Sequence, residues 1–166
     1  MPTNLNTFIL PVRIVQGVFT IIILGLTAYV VNSWSTPSNW YTYPHSPSQA
    51  NFLLFCSIWT ILILAYLILA LARFPAAAHK YAILAAEAVT MVFWFAGFVA
   101  LASLLGDVGC SRYWGVCRAS EAAVVFGAFE WLLFTGTTIL AALHVWRSRK
   151  TGNTAHDPAV EVQPAV

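Results

Sequence analysis

Charge is scarce in this chain. It has eight Lys and Arg and six Asp and Glu, 8% of its 166 residues, where an ordinary soluble domain carries about 25%. So few polar groups cannot cover the surface of a water-soluble globule. Disorder is excluded too, because disordered chains are polar and highly charged, whereas 60% of these residues are hydrophobic. A net charge of +2, thinly spread, excludes a nucleic-acid-binding face. Cysteine is rare as well. Three Cys with no Cys-x-x-Cys spacing do not make a disulfide scaffold, a thioredoxin-like redox site or a zinc site. What is abundant is apolar and aromatic: 7 Trp, 6 Tyr and 11 Phe. That composition points to lipid as the solvent.

No charged side chain occurs between Arg13 and Arg73. Two long apolar runs lie in this gap, at about 14–34 and 52–72. Two more follow at about 81–105 and 119–146, interrupted by Glu87, Glu121 and Glu130. Each reaches the roughly 20 residues that cross about 30 Å of hydrocarbon as a helix. Helix is forced there, since lipid offers no partner to a free backbone group. Membrane-barrel strands would alternate apolar and polar, and these runs do not. The fold class predicted is all-α: an integral membrane four-helix bundle spanning residues 1–146, with a tail at 147–166. The first run is long for a signal core and lacks a convincing cleavage site, so it reads as a retained helix.

Lys and Arg set the expected orientation. Arg13, Arg73, Lys80, Arg147, Arg149 and Lys150 fall on one side, and Arg112 and Arg118 on the other. Six against two predicts both termini in the cytosol. The connection at 35–51, with Trp40, Tyr41 and Tyr43, then faces outward and reads as an interfacial aromatic belt. Cys110 and Cys117 also fall outside, where disulfides persist, and a Cys110–Cys117 bridge closing a small loop is expected. The tail opens on Arg147, Arg149 and Lys150, which would lie on anionic lipid. Beyond them it is polar and should be disordered.

The sharpest features are Glu87 and Glu130. A carboxyl in hydrocarbon is costly and normally faces a neighbouring helix. In its neutral form it can donate as well as accept. Gln16, Thr60, Thr90, Thr137 and Thr138 are the other polar candidates, and Gln16 and Thr137 are taken with the two glutamates as helix-contact residues. No intramembrane Lys or Arg is expected to accompany them. Small residues mark packing faces: Gly17 and Gly25 on the first helix, Ala96 and Ala100 on the third, Ala123 and Gly127 on the fourth.

This pattern resembles the MARVEL-domain family, fungal members in particular, over about Leu10 to Trp146. The resemblance rests on four spans, cytosolic termini and a Cys pair in the second outer loop. It also rests on the stretch Leu84-Ala85-Ala86-Glu87-Ala88-Val89-Thr90-Met91-Val92-Phe93-Trp94-Phe95-Ala96-Gly97, and on Cys117-Arg118 followed by Ala122-Ala123-Val124-Val125-Phe126-Gly127-Ala128-Phe129-Glu130-Trp131. The resemblance implies membrane apposition, vesicle trafficking or organisation of lipid microdomains, at the plasma membrane or on secretory-pathway vesicles. It implies no catalytic residues and no cofactor. Claudin-like proteins would carry their Cys pair in the first outer loop, and tetraspanins several Cys in a large second one.

Two functions are therefore expected to compete. One is a non-enzymatic membrane organiser acting through lateral helix association, with lipids, further copies of itself or other membrane proteins as partners, and no nucleic acid or soluble substrate. The other is a small transporter or channel using Glu87 and Glu130. No nucleophile, metal set or cofactor motif recommends an enzyme.

Overall fold

The computed structural model describes residues 5–34, 46–73, 80–109 and 115–150. They form four helices: α1 (Leu5–Trp34), α2 (Ser48–Arg73), α3 (Lys80–Val108) and α4 (Gly115–Lys150). All four are long and apolar enough to cross a membrane, over Leu10–Ser33, Ser48–Ile68, Tyr81–Asp107 and Gly115–Leu143. The helices exceed the apolar runs because hydrogen bonding need not stop where hydropathy falls. α1 begins nine residues before the expected start at residue 14 and contains Pro11. α4 carries on through Arg147, Arg149 and Lys150, so the basic cluster is the end of a helix and not the start of the tail.

Each helix packs against its neighbours in the chain, and α1 closes the ring on α4. The buried positions explain this arrangement. On α1 they are Gln16, Thr20, Ile23, Thr27 and Val30; on α3, Ile83, Glu87, Thr90, Trp94 and Leu101, with Gly97 among them. On α4, Ser120, Ala123, Gly127, Glu130 and Phe134 follow the same rule. Steps of three and four residues alternate throughout, which keeps one stripe of each helix on the bundle axis and is the spacing of left-handed helical bundles. Seven-residue steps then define layers. Arg13, Glu87 and Thr137 are followed by Thr20, Trp94 and Glu130, roughly 10 Å deeper at 1.5 Å per residue.

The stripe is polar to an unusual degree, while the outward residues are apolar. Nine buried residues are polar or charged among those described, and Ile21, Leu62, Val92 and Leu132 are more than half exposed. Such a distribution inverts that of a water-soluble domain and suits lipid. An apolar cluster of Ile23, Leu53, Cys56, Trp94, Leu101, Ala123 and Phe134 fills the centre. Ring pairs fasten its flanks: Phe19 with Phe126 at 5.3 Å, Trp59 with Phe93 at 5.7 Å, and Phe95 with Trp131 at 5.5 Å.

The small residues divide into two groups. Ala123 and Gly127 are buried, and a Cβ on Gly127 would lie 3.1 Å from Phe98 Cβ. Gly17 is half-buried beside Leu64. On α3 the close approach falls at Gly97, where a Cβ would meet Leu53 Cδ2 at 3.0 Å. Ala96 is exposed and Ala100 half-buried, so the expected α3 packing positions miss by one residue, or 100° around the helix. Gly25 has open space beside it. Gly109 follows the end of α3, and its φ of 58° is the left-handed cap that glycine adopts without strain.

Replacing Gly127 by Val should therefore cost about 1–3 kcal/mol of bundle stability, through overpacking against Phe98. Gly25→Val should change it by less than about 0.5 kcal/mol, as at other outward positions. Reversible unfolding in mixed micelles distinguishes the two.

Candidate functional site: a polar seam inside the bundle

The seam is built on the inner stripe of α1. Arg13 lies within the candidate span of this helix, and its side chain is only 10% exposed. It forms an ion pair, through Nη2, with Glu87 of α3, which is fully buried. Arg13 Nη1 also donates to Gln16 Oε1 at 3.1 Å. Thr137 of α4 donates its hydroxyl to Glu87 Oε2. Three helices thus meet on one carboxylate. This corrects two expectations: Arg13 is not a free flanking charge, and Glu87 does have an intramembrane cation beside it. The reason is reach. A guanidinium on a long stem can turn inward near the edge of a membrane span when a buried carboxylate compensates it.

One layer deeper, Thr20 Oγ1 donates to Glu130 Oε1 at 3.0 Å and ties α1 to α4. Glu130 is fully buried. The two glutamates do not meet in one contact: Glu87 is held by Arg13 and Thr137, and Glu130 by Thr20. Gln16 lies between the two layers on α1 and is also fully buried. Among the described residues, the buried side-chain atoms with no hydrogen-bond partner include Gln16 Nε2, Glu130 Oε2 and Thr138 Oγ1.

α2 and α3 are joined differently. Trp59 on α2 donates its indole N–H to Thr90 Oγ1 at 3.1 Å, and Trp94 on α3 donates to Thr60 Oγ1 at 3.0 Å. Each helix supplies one ring and one hydroxyl. Each hydroxyl spends its proton on the carbonyl one turn earlier, Thr90 on Ala86 at 2.7 Å and Thr60 on Cys56 at 2.8 Å. The oxygens are thereby left as acceptors aimed at the opposite helix. Cys56, a free buried cysteine, adds a thiol contact to the Phe93 carbonyl at 3.6 Å. These Trp partners were not anticipated as hydrogen-bonding residues. The signal was available: Trp-Thr at 59–60 and Thr90 with Trp94 at one-turn spacing in otherwise apolar runs.

The rest of the expected site falls elsewhere. Cys117 is half-buried at the start of α4, and Cys110 lies outside the described residues. The aromatic belt at Trp40, Tyr41 and Tyr43, the second connection at 74–79 and the tail at 151–166 lie outside them as well. Arg147, Arg149 and Lys150 stand on the last turn of α4. Among the described residues no group of three His, Cys, Asp or Glu side chains is placed to hold a metal ion.

Four apolar helices closed around a polar seam define an integral, multi-pass helical membrane protein. Residues 5–140 match the model of the MARVEL domain, described as a membrane-associating domain, and the chain belongs to that family. It is similar to the uncharacterized membrane protein YDL218W of Saccharomyces cerevisiae, with 23% identity over 159 residues, covering 84% of this chain and 48% of the relative. The chain thus spans about half the length of that curated relative. No solved structure matches it.

Thr60→Val should cost about 1–3 kcal/mol, because it strands the buried Trp94 indole N–H, and Thr90→Val should cost less, because the Trp59 indole is only half-buried. Fluorescence-detected unfolding in micelles should show the loss. Trp94→Phe on top of Thr60→Val should recover part of it, since the stranded donor is gone.

Proposed function

We propose that this protein is a non-enzymatic organiser of membrane microdomains, membrane apposition or vesicle trafficking, acting through lateral helix association. The observation that carries this reading is the inward direction of the polar chemistry. Arg13, Glu87, Gln16 and Glu130 are fully or nearly buried and contact one another's helices. The outer face is left apolar, and Gly25 and Ala96 are small and outward on it. Small residues on such faces let a second helix approach closely in lipid. Family membership supports a membrane-associating role.

In this reading both termini are cytosolic. Arg13 is internally neutralised by Glu87, so setting it aside leaves five Lys and Arg against two, with the same outcome. Cys110 and Cys117 form a bridge in the outer loop, worth about 2–3 kcal/mol in the chain-entropy model. The basic end of α4 sits on anionic lipid, at about 1 kcal/mol per charge. Plasma membrane or secretory vesicles are the compartments proposed.

The second reading, a small transporter or channel, is favoured by one observation: Glu130 is a carboxyl at mid-helix with one oxygen unpartnered. Against it, Glu87 is held by an ion pair and a hydroxyl, as a fixed strut would be.

Fluorescence recovery after photobleaching of the tagged protein in living cells tests the first reading. Stable patches with slow recovery are expected, and Gly25→Leu with Ala96→Leu should speed recovery without reducing folded yield. A uniform, fast-recovering signal would contradict the organiser. Proton flux in vesicles that disappears in Glu130→Gln would establish the transporter instead.

A further inference from the structure

We infer that a buried water molecule bridges Gln16 Nε2 and Glu130 Oε2, joining the two polar layers of the seam into one network. Both side chains have no exposed surface. Each has one oxygen engaged, Gln16 Oε1 by Arg13 at 3.1 Å and Glu130 Oε1 by Thr20 at 3.0 Å. Each has its other polar atom without a partner. Turning the amide over does not relieve this, because it would set the Gln16 NH2 group against the guanidinium, donor to donor. Lipid supplies no partner either.

Position and chemistry fit a bridge. Gln16 and Thr20 are neighbours four residues apart on the inner stripe of α1, separated by about 5–6 Å at Cβ. Thr20 holds Glu130, so the carboxyl is anchored one turn along α1 from the residue that carries the amide. The amide donates and the carboxyl oxygen accepts. A water can accept from the first and donate to the second, and a buried water with two or more polar partners is a regular part of protein interiors. The chain of contacts then runs from Thr137 through Glu87, Arg13, Gln16 and the water to Glu130 and Thr20, across α1, α3 and α4. The inference holds whether the protein organises membranes or moves protons.

Magic-angle-spinning NMR tests it, using the full-length protein labelled at Gln, Glu and Trp and reconstituted in phospholipid bilayers. Magnetisation is transferred from water to protein. Gln16 is assigned by its disappearance in Gln16→Leu, Glu130 by its disappearance in Glu130→Met, and Trp94 Nε1 serves as a dry internal reference. Water transfer should be faster to Gln16 Nε2 and the Glu130 carboxyl than to Trp94. It should be lost at Gln16 in Glu130→Met and at Glu130 in Gln16→Leu, with the Trp94 resonance unmoved to show that the variants are folded. Transfer no faster than to Trp94 in the unmodified protein would overturn the inference, whatever the variants do. Transfer that persists at each site after the other is removed would overturn it as well.

Discussion

The bundle depends on one charge being answered inside the membrane. Glu87 sits on the inner stripe of α3 with no exposed surface, where an uncompensated carboxylate would be costly. Arg13 answers it from α1, and Thr137 adds a hydrogen bond from α4. Much of the remaining geometry follows from that contact. It fixes the register of three helices at one layer, and seven-residue steps place Thr20 with Glu130, and Trp94 with Thr60, one layer deeper. A buried ion pair is poor evidence of net stability, because desolvation offsets most of its attraction. Its best-attested use is to specify register, and here the surrounding apolar surface specifies little. Leu, Ile and Val pack equally well against lipid and against each other.

The rest of the interior shows the same division of labour. Hydrogen bonds between side chains name the partner helix, and close contacts set the distance. The Trp59–Thr90 and Trp94–Thr60 pairs align α2 with α3. Gly97 and Gly127 bring both α3 and α4 within reach of Leu53 at the same depth. Polar residues thus decide which helices meet, and glycines decide how near they come. The outer surface is free of both constraints, which suits a MARVEL-family protein whose proposed work is contact with lipid and with other helices.

The four helices could be read directly from the sequence, because the spacing of charges marks the hydrocarbon boundary and lipid leaves helix as the only answer. Glu87, Glu130, Gln16 and Thr137 could be singled out by the same logic, since polar atoms in such runs stand out against their neighbours. What could not be read is pairing. Arg13 marked the edge of an apolar run, and a hydropathy reading takes an edge charge as solvated. Only the register of α1 against α3 brings it to Glu87. The α3 contact fell on Gly97 and not on Ala96 and Ala100 for a related reason. A one-residue offset turns a side chain by 100°, and small residues occur on both sides of a helix that is apolar all round. The steps of four and seven traced by Gln16, Thr20 and Thr27 were the available sign of which face points inward.

A double-mutant cycle on Arg13 and Glu87, measured by reversible unfolding in bilayer-like micelles, tests the central claim most directly. Arg13→Met alone should cost about 3–5 kcal/mol, because it leaves a buried carboxylate unpaired. The double variant Arg13→Met with Glu87→Leu should recover most of that loss, with a coupling of at least about 1 kcal/mol. Additive effects of the two single changes would mean that the residues act independently, and would contradict an intramembrane ion pair as the contact that sets the register of the bundle.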